Sequence, residues 1–170
     1  MSEPAQQREP AAQARGARDW LVRPAEHGDT AAVAVAVREL VVELGGTPAP
    51  VAAMLAAVRE LLDSPRDGIV LVADSAEVVV GVLAASWQLA IHVPGRYALI
   101  QDLWVERSWR GHAIGAGLLA ALVALARRQG CERVEVGLPR PSFSGIAATE
   151  AFYRASGFVA LGPRMRVVLS

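Results

Sequence analysis

The sequence contains no lysine, no asparagine and only one cysteine, Cys131. A Walker-type phosphate loop needs a lysine beside its glycines, so that class of nucleotide site is excluded. One cysteine cannot form an intrachain disulfide or a cysteine-rich metal centre, and the three histidines lack metal-ligand spacing. We therefore expect no bound metal, and we interpret Cys131 as a buried thiol at the start of a strand rather than as a nucleophile.

Long apolar runs are also missing. The longest, residues 113–126, is too short to cross a bilayer, and no N-terminal apolar stretch indicates a secretory signal. We therefore expect a cytoplasmic protein with no membrane partner.

A strong charge of either sign is missing as well, because the formal net charge at pH 7 is zero. The halves nevertheless differ: residues 86–170 carry ten arginines and five acidic residues, whereas residues 1–85 carry seven and twelve. The positive half suits an anionic ligand, although solvated surface arginines explain the bias almost as well. The bias is too small for a nucleic-acid-binding surface, so no nucleic acid partner is expected.

What the sequence does contain is a hydrophobic fraction of 53%, enough for the packed core of one domain. Residues 1–18 lack a hydrophobic period and predict a disordered tail, which leaves residues 19–170 as the domain. In the domain, periodicity and turn residues predict strands and helices. The predicted strands are residues 20–24, 69–73, 78–91, 97–105, 133–138, 158–161 and 165–169, and the predicted helices are residues 31–44, 51–62, a helix that ends at Gly130, and a helix around residues 149–156.

The connections between these elements predict how the strands pair. A break at Asp74-Ser75 indicates a hairpin, and residues 158–161 and 165–169 predict a second one at the end of the chain. Strand 133–138 is reached through a helix, so it should lie parallel to strand 97–105. Ser142 and Ser144 are available to cap the last helix.

A glycine-rich turn follows strand 97–105 and precedes an apolar helix. It reads Arg110-Gly111-His112-Ala113-Ile114-Gly115-Ala116-Gly117. The start of a helix exposes unpaired backbone N–H groups and the positive end of the helix dipole, and glycine lets a bulky anion approach the main chain. The turn is therefore a candidate phosphate-binding site, and a plain strand-to-helix turn with packing glycines is the alternative.

Two motifs carry a resemblance to a known family. Residues Arg110 to Gly115 resemble the R/Q-x-x-G-x-G/A acyl-CoA pyrophosphate loop of the GNAT superfamily of N-acetyltransferases, with Ala113 in place of the first glycine. The loop keeps its shape if φ at Ala113 is negative. The stretch Phe152 to Phe158 resembles the Phe/Leu-Tyr-x-x-x-Gly-Phe signature that follows in the same family, although Ile146 replaces an asparagine that contacts the cofactor in many members. The resemblance covers about residues 20–169.

The resemblance implies an α+β fold of three layers. A mixed, mostly antiparallel sheet would be flanked by helices, with two central parallel strands splayed for acyl-CoA. It also implies acetyl-CoA as co-substrate and direct transfer of the acetyl group to a primary amine of a small molecule or peptide.

The resemblance assigns roles to particular residues. Tyr153 would protonate the departing thiolate, with a purely anchoring role as its alternative. Asp102 would relay the amine proton through water or hold an ammonium group, with structural hydrogen bonding as its alternative. The acyl-CoA contacts implied are the backbone of Leu103, Trp104 and Val105 along the pantetheine arm, and Arg110, Gly111, His112, Ala113, Ile114, Gly115 and Ala116 around the pyrophosphate.

A second function is left open by the sequence. A non-catalytic acyl-CoA-binding sensor or regulatory module of the same fold would show the same motifs, and the departures at Ala113 and Ile146 motivate it. The acceptor is not identified by the residues, and a homodimer is compatible with them.

Overall fold

The structure, a computed structural model, describes residues 19–93, 95–162, 165 and 167. The tail predicted for residues 1–18 lies outside them. The described residues form one five-stranded sheet in the order β1-β2-β3-β4-β5. The strands are β1 (Leu21–Pro24), β2 (Gly68–Ser75), β3 (Val78–Ala90), β4 (Gly95–Val105) and β5 (Cys131–Val136).

The sheet is mixed, as predicted. β1 to β4 pair with their neighbours in antiparallel fashion, and β5 lies parallel to β4. The parallel pair follows from the helix between the two strands, because a parallel connection needs a long crossover. In the described part of the chain, β5 is the edge strand on that side of the sheet.

Four helices flank the sheet in the described residues: α1 (Thr30–Glu43), α2 (Val51–Asp63), α3 (Ile114–Arg128) and α4 (Ile146–Ala155). Glycines in the left-handed region follow three of them, with φ of 75° at Gly45, 70° at Gly130 and 88° at Gly157. Such glycines end helices at little steric cost. None of the helices in the described residues is long and apolar enough to cross a membrane.

Each face of the sheet carries its own hydrophobic cluster. On one face α3 and α4 pack against β2, β3 and β4, and the buried residues there include Leu71, Leu83, Ile100, Leu118, Leu122 and Tyr153. On the other face α1 and α2 pack, and the buried residues there include Val33, Ala36, Val72, Val82 and Trp104. The fold is thus three layers, with the sheet between two helical layers.

The hairpin between β2 and β3 turns two residues later than predicted. Asp74 and Ser75 still belong to β2, and the turn is made by Ala76 and Glu77, with φ of 49° and 66°. The Glu77 N–H donates to Asp74 Oδ1 at 3.0 Å. Asp74 therefore holds the turn instead of forming it.

The strand predicted at residues 158–161 is wrong. The Phe158 N–H donates to the Tyr153 carbonyl and the Gly157 N–H to the Arg154 carbonyl, both at 3.0 Å, so these groups cap α4. Val159 and Leu161 are exposed and unpaired in the described part of the chain. Most of the predicted strand 165–169 lies outside the described residues.

Two smaller predictions also need correction. β5 begins at Cys131 and ends at Val136, two residues earlier at each end than predicted. α4 begins after Gly145 without a side-chain cap, so neither Ser142 nor Ser144 caps it.

Candidate functional site

β4 and β5 separate near the middle of β4. The last paired residues are Ile100 and Val136, whereas β4 continues to Val105. At the same point the pairing of β4 with β3 skips Gln101, a β-bulge that re-aims the strand. Backbone groups of residues 101–105 that face away from β3 therefore lack a strand partner among the described residues.

A cavity of about 690 Å³ occupies the gap between the two strands. It reaches both layers, because Leu40 of α1 and Leu44, the residue that follows α1, line it on one side, while α4 contributes Phe152 and Tyr153. Its wall is mostly apolar. The other apolar side chains on it are Ile100, Leu103, Trp104, Val105, Trp109, Ile114, Val136, Pro139 and Phe143.

The predicted phosphate-binding turn forms one end of this cavity. Gly111, Ala113, Ile114, Gly115 and Ala116 all line it. The first residue of α3 to bond within the helix is Gly117, whose N–H donates to the Ala113 carbonyl at 2.9 Å. The three preceding N–H groups have no acceptor in the helix, and no side chain caps them. The N-terminus of α3 thus presents free amides and the positive end of the helix dipole to the cavity.

Ala113 corrects one expectation, because its φ is +60°, not negative. Ala113 is the residue that precedes α3 and adopts the left-handed region there. An alanine in that region costs roughly 1 kcal/mol. The loop therefore keeps the left-handed conformation suited to the family's glycine, with alanine in the glycine's place.

Glycines let α3 seat closely. A Cβ at Gly117 would lie 2.5 Å from the Trp20 ring, and the Trp20 Nε1–H donates to the His112 carbonyl at 3.2 Å. A Cβ at Gly81 in β3 would lie 2.7 Å from the Ile114 side chain. These contacts hold the first turn of α3 against the sheet and against Trp20. No sequence motif marks Trp20 as part of the site.

Arg110 is engaged by the protein itself. Its Nη1 and Nη2 donate to the two carboxylate oxygens of Glu43 at 2.8 and 2.6 Å, and its Nε donates to the Val105 carbonyl at 3.1 Å. The hydrogen bonds from Arg110 hold the pKa of the Glu43 carboxyl below its ordinary value, and those to Glu43 raise the pKa of Arg110. Both groups are therefore charged at neutral pH.

A second cavity of about 620 Å³ adjoins the first. Glu43, Trp104, Arg110 and Phe143 line both cavities, so these side chains form the wall between them. The second cavity is more polar. Its remaining lining residues are Arg38, Glu39, Val42, Glu106, Arg107, Ser144 and Gly145.

Tyr153 lines the cavity from α4. Its ring is 6% exposed and packs edge-on against Phe152 and Phe158, with ring centroids 5.1 and 5.3 Å away. Burial raises the pKa of Tyr153 to about 12. The Tyr153 hydroxyl makes no hydrogen bond to another described residue. Because every fully buried side-chain oxygen of the described residues has a partner, this hydroxyl is not fully buried. Tyr153 lines the cavity, so we infer that the hydroxyl is exposed to it.

Two of the predicted site residues do not line the cavity. Asp102 is half-buried and lies on the α1–α2 face of the sheet, because it pairs with Ala84 and stands two residues before Trp104, and both of those residues belong to the cluster on that face. Burial raises its pKa above the ordinary value. His112 is exposed, and its ring Nδ1 faces the carbonyls of Trp109 and Arg110.

Several lining residues were missed by the sequence. Gln101 enters the cavity because of the bulge, and Glu43, Phe143 and Phe152 come from distant elements. A bulge leaves little trace in a single sequence, but Phe152 stands beside Tyr153 in the recognised motif. Among the described residues no group of three His, Cys, Asp or Glu side chains could hold a metal ion.

Comparison with known proteins identifies the family. The model of the acetyltransferase (GNAT) family matches residues 34–158. No curated relative matches the sequence. Among solved structures, a possible acetyltransferase from Clostridium difficile 630 aligns with a TM-score of 0.76 at 16% identity, over 89% of this chain and 97% of that one.

Two further structures were solved with acetyl-CoA or with an analogue that contains CoA. A predicted acetyltransferase from Clostridium acetobutylicum, with acetyl-CoA, has a TM-score of 0.72 at 15% identity, over 88% of this chain and 96% of that one. AAC(6')-Iy, in complex with the bisubstrate analogue CoA-S-monomethyl-acetylneamine, has a TM-score of 0.74 at 16% identity, over 89% and 98%. At these identities the likenesses show the fold. With the family match over most of the chain, they show that this protein belongs to the GNAT family of acetyltransferases.

Proposed function

We propose that this protein is an acetyl-CoA-dependent N-acetyltransferase that passes an acetyl group directly to the primary amine of an acceptor. One observation carries the proposal: uncapped amides at the start of α3 open onto a cavity between the separated strands, and the Tyr153 hydroxyl reaches the same cavity. The amides would bind the pyrophosphate of acetyl-CoA. The gap between the strands would hold its extended pantetheine arm, and the Tyr153 hydroxyl would face its thioester.

The chain's own groups fit acetyl-CoA. The amides of Ile114, Gly115 and Ala116 would bind the pyrophosphate, helped by the dipole of α3. Backbone groups of Leu103, Trp104 and Val105 that face away from β3, other than the Val105 carbonyl held by Arg110, would pair with the amides of the pantetheine arm, as one strand pairs with another. The absence of a side chain at Gly115 keeps this part of the cavity open. A Cβ there would be in van der Waals contact with the Phe152 ring at 3.4 Å.

Acetyl-CoA supplies an activated acyl group, and the residues govern charge and protons around it. A backbone N–H of residues 103–105 would donate to the thioester oxygen as negative charge develops there. Tyr153 would give its proton to the departing thiolate, and its raised pKa keeps it protonated throughout the neutral range. Asp102 would take the amine proton through water, since its side chain is not on the cavity wall, and its raised pKa makes it a stronger base than an exposed aspartate.

The acceptor proposed is a small-molecule amine, with a peptide amine as the alternative. The bisubstrate complex of AAC(6')-Iy supports a small molecule, because that analogue joins CoA to acetylneamine in a protein of the same fold. Leu40 of α1 and Leu44, just after it, would contact the acceptor where the cavity reaches the α1–α2 face. Homodimer formation and a cytoplasmic location stay predictions.

The test has a binding step and a turnover step. Saturating acetyl-CoA should raise the melting temperature, since a ligand at a hundredfold excess over Kd stabilises the native state by about 2.7 kcal/mol. CoA release should then be measured against a panel of amines, with mass spectrometry of the products. Binding without release on any amine would favour the alternative, an acyl-CoA-binding regulatory module, and the absence of binding would contradict both.

Gly115→Val locates the site. Its added methyl groups would press on Phe152 and enter the cavity, so the shift with acetyl-CoA should be lost. Gly28→Val is the matched control, because a Cβ at Gly28 meets nothing within 4 Å and Gly28 does not line the cavity. Normal binding by a folded Gly115→Val variant would mean that the pyrophosphate site is elsewhere.

A further inference from the structure

The ion pair between Glu43 and Arg110 connects the phosphate-binding turn to a helix that is distant in sequence. Glu43 is the last residue of α1, and Arg110 directly precedes Gly111, whose φ is +87°. The guanidinium donates from both Nη atoms to both carboxylate oxygens, at 2.8 and 2.6 Å. Two parallel charge-assisted hydrogen bonds fix orientation as well as distance.

The same guanidinium also fixes the end of β4. The Arg110 Nε donates to the Val105 carbonyl at 3.1 Å, at the last residue of the strand. One side chain therefore joins the end of α1, the end of β4 and the start of the turn. With three of its N–H groups committed to the protein, Arg110 holds the turn in place and does not present an open fork to an anion.

The pair also has a place in the cavity wall. Glu43 and Arg110 line both cavities, and their side chains are 30% and 43% exposed. At that exposure an ion pair contributes little to global stability, since solvent screens it. Its consequence should instead be local, in the position of the amides that follow Arg110.

We propose that Glu43 is a positioning residue for acetyl-CoA: by holding Arg110 between α1 and β4, it sets the amides of Ile114, Gly115 and Ala116 in the orientation that the pyrophosphate requires. The inference rests on the proposed function. It gives α1, the helix on the acceptor side of the cavity, a second role in binding the acyl donor.

The opposite interpretation of the ion pair predicts the opposite change in the KM for acetyl-CoA. If Glu43 instead competed with the pyrophosphate for Arg110, its removal would free the guanidinium and acetyl-CoA would bind more tightly. The two readings are therefore separated by the direction in which the KM for acetyl-CoA changes.

The experiment compares Glu43→Gln with Glu39→Gln. Glu43→Gln keeps the shape of the side chain and removes its charge, so the KM for acetyl-CoA should rise about two- to fivefold, the loss expected of a partly exposed ion pair. The kcat and the melting temperature without ligand should change little. Glu39 lies one turn earlier on α1, lines only the second cavity and makes no ion pair within the described residues, so Glu39→Gln should keep the wild-type KM.

Two results would overturn the inference. These are a lowered KM in Glu43→Gln and an unchanged KM, which together with a fall in melting temperature would indicate a merely structural pair. The thermal shift of the wild-type protein with acetyl-CoA is measured first. If the wild type does not bind, the proposed function fails together with the inference; if it binds and Glu43→Gln binds equally well, only the inference fails.

Discussion

The Tyr153 ring is buried, whereas its hydroxyl reaches the cavity. The ring fixes the position of the residue, and the hydroxyl supplies the proton in the proposed reaction. The buried ring packs between Phe152 and Phe158, which fixes its position. Tyr153→Phe keeps the ring and removes the proton, so kcat should fall while the affinity for acetyl-CoA and the melting temperature stay nearly unchanged. General acid catalysis is typically worth on the order of 10²- to 10⁴-fold.

Steady-state kinetics and a melting curve on the same Tyr153→Phe preparation check this. A large loss of melting temperature would show that the hydroxyl is structural. An unchanged kcat, with chemistry shown to be rate-limiting, would mean that the thiolate leaves by another route.

Ala113 occupies a backbone conformation that favours glycine. Because its φ is +60°, Ala113→Gly should relieve roughly 1 kcal/mol of strain, partly offset by the greater freedom of glycine in the unfolded chain. We therefore expect a slightly higher unfolding free energy and unchanged or tighter acetyl-CoA binding. Denaturant titration with and without acetyl-CoA measures both. A clear loss of stability would show that φ at residue 113 is negative in solution.

The cavity residues that could be predicted from the sequence lie in local motifs, whereas those that were missed depend on contacts between distant parts of the chain. Gly111, Gly115 and Tyr153 lie within local motifs whose spacing follows from a turn or one helix. Glu43 meets Arg110 across 67 residues of chain, and nothing in either neighbourhood indicates the other. Such a contact depends on how α1 lies on the sheet, which a single sequence does not specify.

At the scale of elements, the seating of α3 depends on Gly81. A Cβ there would lie 2.7 Å from the Ile114 side chain and 3.1 Å from that of Leu118, and both side chains are almost fully buried. Gly81→Ala must push the first turn of α3 away from β3, and overpacking of this kind costs about 1–3 kcal/mol. Acetyl-CoA affinity should fall as well, because the free amides of α3 belong to that turn.

Denaturant titration and acetyl-CoA binding check the prediction, with Gly28→Ala as control because its site is open and its φ is ordinary. If Gly81→Ala lost stability but bound acetyl-CoA normally, the position of α3 would not control the amides.

Most elements were predictable because their signals are local. The positions of α1, α2 and β4 follow from hydrophobic periodicity, and the parallel direction of β5 follows from its helical crossover. The strand predicted at residues 158–161 is absent because the Phe158 N–H caps α4 by donating to the Tyr153 carbonyl, a contact that the apolar run itself does not indicate. The separation of β4 and β5 was implied by family resemblance and not by any residue pattern.

At the scale of the whole molecule, a charged network whose residues line neither cavity joins β1 to its neighbours. Arg23 in β1 donates to Asp29 at 2.7 and 3.0 Å and to Asp74 at 3.0 Å, so it joins β1, the residue before α1 and the end of β2. Asp29 is 12% exposed and Arg23 31%, so solvent screens the network only in part. The network should stabilise the fold without affecting acetyl-CoA.

The sign of its pH dependence follows from Asp29. The hydrogen bonds from Arg23 lower the pKa of Asp29 below the ordinary 3.8. A carboxyl whose pKa is lower in the folded state contributes stability above its unfolded pKa and loses it as the pH falls through the folded value. The contribution should therefore be complete at pH 7 and decline below about pH 4, near the reference pKa of aspartate.

Asp29→Asn tests this contribution. At pH 7 the variant should lose about 1–2 kcal/mol of unfolding free energy, the range for hydrogen bonds to charged groups after a discount for the partial exposure of Arg23. The difference from wild type should shrink at pH 3, and the KM for acetyl-CoA should not change. Asp63→Asn is the control, because Asp63 pairs with His27 at 66% exposure on both sides and should contribute almost nothing. An equal loss for Asp29→Asn at both pH values would show that the Asp29 charge is not what stabilises this part of the fold.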